Sequence, residues 1–344
     1  MAVWFARGIS EVFVDETRSV VFTPNDAVRL ALETIRERRD VKRIGVRTGI
    51  PTLDDYLLPA RPGELITVLG NSSNYKSGFL QWWARYAASE LVSEELTNQC
   101  VIYVTWEQAI EEVLAFDMAS TASMSVVDIL SGQLSDDEVQ RLEEVVGPRR
   151  ATLPLYLVGH SVSEGRKRPA LTLDVVGRAL NLIRREFELT PRMILLDYLQ
   201  IIEPGRGEDR RMQVFHNVHR CKDMALAMSC PVVLASQARR SVMEKRIAVP
   251  GIADSEESSN AEHASDKMLG LWMPKTKYAV GEEVPIGKDR DIEVSESLLL
   301  VRVLKQRMGP AGRLFDLYVD PATNYIGPRD DKEVFFEGTE PIPF

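Results

Sequence analysis

An α/β fold with a mainly parallel central sheet flanked by helices follows from three observations. Apolar strand candidates alternate with amphipathic helices. Four of those strands run into a polar or charged group. One of them leads through a turn into Lys-Ser and a helix. The strand candidates are Glu64–Leu69, Val101–Thr105, Leu155–Val158, Met193–Leu196, Val232–Ala235, Lys267–Met273, Leu298–Leu304 and Leu314–Val319. They are apolar nearly throughout, as a sheet covered on both faces requires. Helix candidates lie at Ser77–Val92, Ser135–Val146, Leu173–Glu188 and Arg210–Met228. In the last, Val214, Val218, Cys221, Ala225 and Met228 recur at helical spacing and mark a buried stripe. The polar stretch Lys275–Glu296 reads as a surface loop.

Length and composition bound the rest. The chain has 344 residues, 44% hydrophobic and 27% charged, which is ample for a buried core and excludes wholesale disorder. It contains no run of 18 apolar residues, and Met1–Ser10 lacks a signal-type apolar stretch, so neither a membrane span nor secretion is expected. Cys100, Cys221 and Cys230 form no CxxC pair and read as reduced thiols of a cytoplasmic protein. A net charge of −9 argues against coating nucleic acid with the whole surface, yet leaves room for a local basic channel. Thr23-Pro24-Asn25-Asp26 starts an amphipathic helix carrying Val28, Leu32 and Ile35, too short to be stable alone. The organisation is therefore an N-terminal segment (1–40) with this helix, an α/β domain (41–328) and an acidic tail (329–344).

The segment Gly70-Asn71-Ser72-Ser73-Asn74-Tyr75-Lys76-Ser77-Gly78 follows a strand and opens a helix, the context in which backbone N–H groups meet phosphate. Lys76 would reach the β- and γ-phosphates and Ser77 would hold Mg²⁺. Tyr75 stands where the pattern G-x-x-x-x-G-K-[ST] has its second glycine. A left-handed backbone there costs a non-glycine residue about 1–2 kcal/mol, roughly tenfold in binding. A clash of the ring with phosphate would cost more. Asp197 ends the strand Met193–Leu196, where a nucleotide enzyme places a carboxylate for Mg²⁺. Glu107 follows Val101–Thr105 as a candidate base for water, and Gln237 follows Val232–Ala235 as an amide that can sense the γ-phosphate. Each group alone has an ordinary structural explanation. Their common position at strand ends makes them one crevice.

With these residues in view, the chain resembles the RecA-like motor domain of DnaB-type replicative helicases over about Arg43 to Ile326. Thr48-Gly49-Ile50-Pro51-Thr52-Leu53-Asp54 resembles that domain's opening segment, and Asp197-Tyr198-Leu199-Gln200 its DYLQ. Ser236-Gln237-Ala238-Arg239-Arg240-Ser241-Val242 is similar to SQLNRS, and Pro250…Asp254-Ser255-Glu256-Glu257-Ser258…Glu262…Asp266 to P-x-x-x-D-L-R-E-S…E…D. Lys305-Gln306-Arg307-Met308-Gly309-Pro310-Ala311-Gly312 is similar to K-x-R-x-G-P-x-G. The resemblance implies a RecA-like P-loop NTPase core using ATP and Mg²⁺. In it Lys76 and Ser77 are the P-loop pair, Glu107 the catalytic glutamate, Asp197 the Mg²⁺-associated aspartate and Gln237 the link from γ-phosphate to the DNA loops. Lys305 and Arg307 match the cationic finger that reaches a neighbouring subunit's nucleotide.

It further implies a homo-oligomer, a hexamer with composite ATP sites, translocating 5′→3′ on single-stranded DNA during replication. Arg206, Arg210 and Arg211, with Arg239, Arg240, Lys245 and Arg246, fall in the loops that line the family's DNA channel. The Asp26–Arg39 helix resembles the linker helix that docks on an adjacent subunit. With about forty residues ahead of the motor, the family's primase-binding N-terminal domain is expected to be absent, leaving a primase or loader as a partner of unspecified docking. This architecture suggests a bacterial protein encoded by a phage, plasmid or mobile element. Glu256 and Ser259 depart from the R-E-S-G stretch. Two alternatives stay open. Tyr75 motivates a ring scaffold or loader that binds nucleotide without hydrolysis. A recombinase shares the core but is disfavoured by the DYLQ and K-x-R-x-G-P-x-G matches. His216, His219 and Cys221 share a helix, but no fourth metal ligand is near and Cys221 faces the core.

Overall fold

The computed structural model describes residues 22–39, 45–163, 170–202, 210–254, 262–286 and 290–329. The chain divides into two compact units, 1–45 and 46–344. In the first, helix α1 spans Pro24–Arg39. Its start is the expected one: the Thr23 hydroxyl accepts from the Asp26 N–H at 3.2 Å and donates to the Asp26 carboxylate at 2.6 Å. Val28, Leu32 and Ile35 are exposed on it.

The second unit is built on strands β1 (Leu65–Gly70), β2 (Gln99–Thr105), β3 (Leu155–Val158), β4 (Thr190–Asp197), β5 (Val232–Gln237), β6 (Lys267–Trp272), β7 (Glu283–Pro285), β8 (Asp291–Glu293), β9 (Leu298–Gln306), β10 (Leu314–Asp320) and β11 (Tyr325–Pro328). Nine of them form one sheet in the order β11-β10-β9-β6-β1-β5-β4-β2-β3. From β6 to β3 every pairing is parallel; β9, β10 and β11 add an antiparallel edge. The interleaved helices are α2 (Pro51–Asp54), α3 (Lys76–Ser93), α4 (Ile110–Ala122), α5 (Val126–Ser131), α6 (Asp136–Arg141), α7 (Gly147–Ala151), α8 (Leu173–Glu186) and α9 (Arg210–Met228).

Strand alternation sorts the core onto the two sheet faces. Ile66, Val68, Val101, Tyr103, Met193, Leu195 and Val233 meet Phe79, Trp83 and Ala87 of α3 on one side. Leu65, Ile102, Val104, Ile194, Leu196 and Leu234 meet α8 and α9 on the other. The stripe Val214, Val218, Cys221 and Ala225 is buried there as its spacing requires. All three cysteines are buried, and burial pushes their thiols up to about 12.

The structure corrects several expectations. Lys275–Glu296 is not a plain loop. It contains the hairpin β7–β8, and Val284, Ile286, Ile292 and Val294 close a separate apolar cluster around Trp272. Alternation over so few residues was masked by polar neighbours. Helices α4 and α5 and strand β11 add to the elements expected from periodicity. The helix expected at Ser135–Val146 breaks into a π turn over Leu142–Val146 and continues as α7. The acidic tail lies outside the described residues apart from Arg329 at its start.

The lead-in Thr48–Asp54 is a tied loop. Asp54 accepts from the Thr48 and Gly49 N–H groups and the Thr48 hydroxyl, at 2.8, 3.0 and 2.9 Å. The indoles of Trp82 and Trp83 donate to the carbonyls of Thr48 and Arg47. This gives those tryptophans a packing role on α3. Gly49 adopts φ +77°, and a Cβ there would lie 2.3 Å from the Tyr86 ring. Gly49→Ala should therefore destabilise the domain by about 2–4 kcal/mol, seen as a lower melting temperature by calorimetry. An unchanged melting temperature would mean that the Tyr86 ring swings aside freely.

Candidate active site

Because β1, β5, β4 and β2 are adjacent and parallel, their carboxyl ends share one edge of the sheet. In register, Gly70 pairs with Gln237 and Thr105 with Asp197. Residues 71–75 turn from β1 into α3, whose first residue is Lys76. Two asparagines tie this loop down. Asn71 Nδ2 donates to the Arg239 carbonyl at 3.3 Å. The Asn74 side-chain carbonyl oxygen accepts from the Met273 N–H at 2.8 Å, and that side chain is buried. Lys76 Nζ donates to the Asn71 carbonyl at 2.9 Å. Burial lowers its ammonium below the usual lysine range, while the charges of Asp197 and Glu107 pull it back up.

Tyr75 is left-handed, at φ +64° and ψ +24°, so the position does adopt the backbone that a glycine would serve. Its ring does not turn into the loop. It lies across Gly78, where a Cβ would come within 2.6 Å of the ring. The phenol donates to Asn324 Oδ1 at 2.7 Å, in the turn between β10 and β11. A glycine is thus needed at 78 because an aromatic stands at 75.

Asp197 is 2% exposed. One carboxylate oxygen accepts from the Tyr103 hydroxyl at 2.8 Å; the other, Oδ1, is buried without a hydrogen-bond partner. Burial raises the carboxyl above its usual value near 3.8, against the opposing pull of the Ser77 and Tyr103 hydroxyls and Lys76. Gln237 Nε2 donates to the Ser72 hydroxyl at 3.2 Å. Its backbone N–H is held at 3.0 Å by Gln200 Oε1, and Gln200 Nε2 donates to the Ser236 hydroxyl at 3.1 Å. Glu107 is exposed beside the loop.

Ser72, Ser73, Asn74, Tyr75, Lys76, Ser77, Gly78, Glu107 and Gln237 all line one cleft of about 570 Å³. Asp197 lies just beneath it, against Ser77 and Lys76. The structure does not bring Lys305 and Arg307 to this cleft. Gln306 pairs with Lys267, which is level with Ile66. That is four residues below Gly70 and about 13 Å away along the strand. Lys305 Nζ donates to the Glu262 carbonyl, and Arg307 pairs at 3.4 Å with Asp266 while its side chain stays 57% exposed. The basic residues Arg239, Arg240, Lys245 and Arg246 are exposed just past Gln237, with Lys245 paired to Asp254. Arg210 and Arg211 begin α9, and Arg206 lies outside the described residues.

Residues 45–325 match the family described as the DnaB-like helicase C-terminal domain. The chain belongs to this family. It is 24% identical over 330 residues to the replicative DNA helicase DnaB of Buchnera aphidicola, covering 93% of this chain and 62% of that protein. It is 28% identical over 273 residues to the DnaB of Haemophilus influenzae, covering 78% and 52%. The corresponding figures for a probable plasmid replicative DNA helicase of Chlamydia trachomatis are 22% over 253 residues, 73% and 52%. The chain thus spans between 52% and 62% of these relatives' length. Among solved structures, an isolated ATPase domain superposes with a TM-score of 0.71 at 17% identity, covering 88% of this chain and 98% of that one. A DnaB-like replicative helicase, solved with its interactions with primase, gives 0.69 at 17%, covering 95% and 75%. These structures share the RecA-like α/β fold.

Several residues of the DnaB-like cleft carry no motif-level signal. Tyr103 looks like one more apolar strand residue, yet its hydroxyl is the hydrogen-bond donor to Asp197. Gln81, Gln108 and Asn324 line the cleft from three separate elements, and only the fold shows their proximity. Asp266 was legible as a motif residue. The structure shows it accepting from the Leu65 N–H and from Lys222 Nζ as well as pairing with Arg307.

The raised Asp197 carboxyl makes a signed prediction. A group whose folded value lies above its unfolded value favours folding only while protonated, so charging it above pH 3.8 costs stability. Asp197→Asn should stabilise the free protein at pH 7 by about 1–2 kcal/mol. The gain should shrink toward zero as pH falls to the ordinary carboxylate range, and paired denaturant melts at the two pH values check it. A gain independent of pH would show that its source is packing.

Proposed function

We propose that this chain is the motor of a replicative DNA helicase, hydrolysing ATP at sites shared between subunits of a hexameric ring and moving 5′→3′ on single-stranded DNA. The observation that carries the reading is the convergence of Lys76, Glu107, Gln237 and the buried Asp197 at four adjacent parallel strand ends. The donor set suits ATP with Mg²⁺. The loop offers backbone N–H groups and a helix N-terminus to phosphate. The partnerless Asp197 Oδ1 and the adjacent Ser77 hydroxyl are the oxygen ligands that a hard cation takes. Bound Mg²⁺ would screen charge on the β- and γ-phosphates.

The protein's own groups supply the remainder. Lys76 leaves the Asn71 carbonyl for phosphate oxygens. Glu107, exposed to the cleft, orients and deprotonates the attacking water. Gln237 stands between Ser72 and the basic segment 239–246, so a change at the γ-phosphate is felt by residues that would grip DNA phosphates. Lys305 and Arg307 lie toward the opposite ends of the strands from their own cleft, on the Glu262 carbonyl and Asp266. A cation at that end serves a second subunit's nucleotide, which ties hydrolysis to ring assembly. Primase or a loader is the expected protein partner. The scaffold alternative depended on Tyr75 obstructing phosphate; the phenol's bond to Asn324 instead favours a working site. No helix among the described residues is long and apolar enough to cross a membrane, in keeping with a cytoplasmic replication protein.

ATP turnover with and without single-stranded DNA tests the proposal. Lys76→Ala, Glu107→Gln and Arg307→Ala should each lower the stimulated rate by roughly 100-fold or more. Mixing Lys76→Ala with Arg307→Ala subunits should restore activity above either alone, because about a quarter of the interfaces are then intact. Nucleotide binding without turnover in the unaltered protein would sink the motor reading and leave the scaffold. Arg239→Ala with Arg240→Ala should weaken DNA binding alike for all sequences. It should also lower the salt slope of log K by about 1–2; an unchanged slope would remove these residues from the DNA path.

A further inference from the structure

The cleft's far wall holds a hydrogen-bond chain that the motifs do not account for. Tyr75 donates to Asn324 Oδ1 at 2.7 Å, and Asn324 Nδ2 donates to Gln81 Oε1 at 3.4 Å. Gln81 Nε2 continues to Gln108 Oε1 at 2.9 Å. Gln108 is fixed in turn, its N–H donating to the Thr105 hydroxyl at 3.1 Å and its carbonyl accepting from that hydroxyl at 2.9 Å. The chain thus runs from the residue just before Lys76 to the residue just after Glu107. It crosses the β10–β11 turn and the second turn of α3. Asn324 is 1% exposed, and its carbonyl is held from behind by Arg85 at 3.3 Å, itself buried against Asp117. The anchor is therefore buried and bonded on both sides.

We infer that Tyr75 is a positioning residue that replaces glycine's freedom with a side-chain anchor, holding the phosphate loop in its binding shape and tying it to the Glu107 segment. The inference rests on the nucleotide reading of this cleft and adds how this chain organises it. Glycine at 75 would reach the left-handed conformation without strain but would leave many other conformations open. Tyrosine closes most of them, and the phenol's bond to Asn324, together with the ring's contact over Gly78, selects the left-handed one. Residue 75 is continuous with the first turn of α3, its carbonyl accepting the Phe79 N–H at 2.9 Å, so order at 75 passes to that turn. Less ordering then remains to be done when phosphate arrives.

The test uses the full chain with Tyr75→Phe, Asn324→Gly, the double variant and Tyr75→Gly. Asn324 is left-handed at φ +54°, so glycine keeps its backbone while removing the acceptor. Hydrogen exchange over residues 71–79 is read without nucleotide, and affinity is read with ADP, which needs no turnover. Tyr75→Phe and Asn324→Gly should each speed exchange and raise the ADP dissociation constant about three- to tenfold. The double variant should be no worse than the more affected single variant. In turnover the loss should fall on KM for ATP rather than on kcat. Tyr75→Gly should show the fastest exchange of the set. The inference is overturned if Tyr75→Phe matches the unaltered protein in exchange and affinity, or if Tyr75→Gly binds ADP as tightly or more tightly. If the unaltered protein binds no ADP, the nucleotide reading itself fails. Exchange in the nucleotide-free protein still reports whether the anchor orders the loop.

Discussion

Taking the Asp197 carboxylate out of water is the unfavourable act around which the cleft is arranged. At the end of a buried strand it has the Tyr103 hydroxyl as a donor, the Ser77 hydroxyl and Lys76 beside it, and one oxygen without a hydrogen-bond partner. A fold selected for stability alone would place an amide or an apolar group there. The surroundings limit the cost without removing it. Tyr103, on the neighbouring strand β2, turns its hydroxyl toward the carboxylate from within the apolar core. Lys76 is itself held below its normal range by burial, so the two charges are each other's compensation. On the proposed nucleotide reading, this residual imbalance is what a cation and a polyphosphate would relieve, by supplying the missing opposite charges.

Parallel register explains why this imbalance is concentrated in one place. In an antiparallel sheet the groups following β1, β5, β4 and β2 would be dealt to alternate edges. Here they fall side by side, and the loop after β1 is tied by Asn71 to the chain beyond β5 and by Asn74 to the chain beyond β6. Two neighbouring strand ends therefore hold the loop 71–75 in place. The antiparallel extension serves another purpose. By reversing direction at β9 it carries Lys305 and Arg307 back to the opposite edge, where Asp266 fastens Arg307 to the start of β1 and to Lys222 on α9.

Much of this was legible in the sequence, for identifiable reasons. Long apolar strands and the α9 stripe declare themselves by periodicity, and Lys76, Glu107, Asp197 and Gln237 by where they follow those strands. What escaped notice has physical causes too. The hairpin β7–β8 is too short for alternation to stand out among Glu283, Asp291 and Glu293. Helix α4 mixes Glu111, Glu112 and buried Asp117 with small residues, so its face is blurred. Buried Asp117 makes sense only beside Arg85 and Arg150, which come from other elements. The contacts of Asn324 join positions more than two hundred residues apart in the chain, and no local pattern encodes such a meeting.

Tyr75 shows how a motif can be broken in letters and kept in geometry. The glycine of the phosphate-binding pattern matters for two properties: access to left-handed φ, and no side chain between loop and ligand. The first survives here at the ordinary cost of a strained residue, offset by a half-buried hydrogen bond and an aromatic contact with the core. The second is eased because Gly78 yields space one helical turn later, and the ring lies over it. The pair Tyr75–Gly78 is therefore a single solution: a side chain at 78 would push the ring off Asn324, and with it the loop that carries Lys76. The departure from the family pattern and the glycine inside the helix have one steric cause.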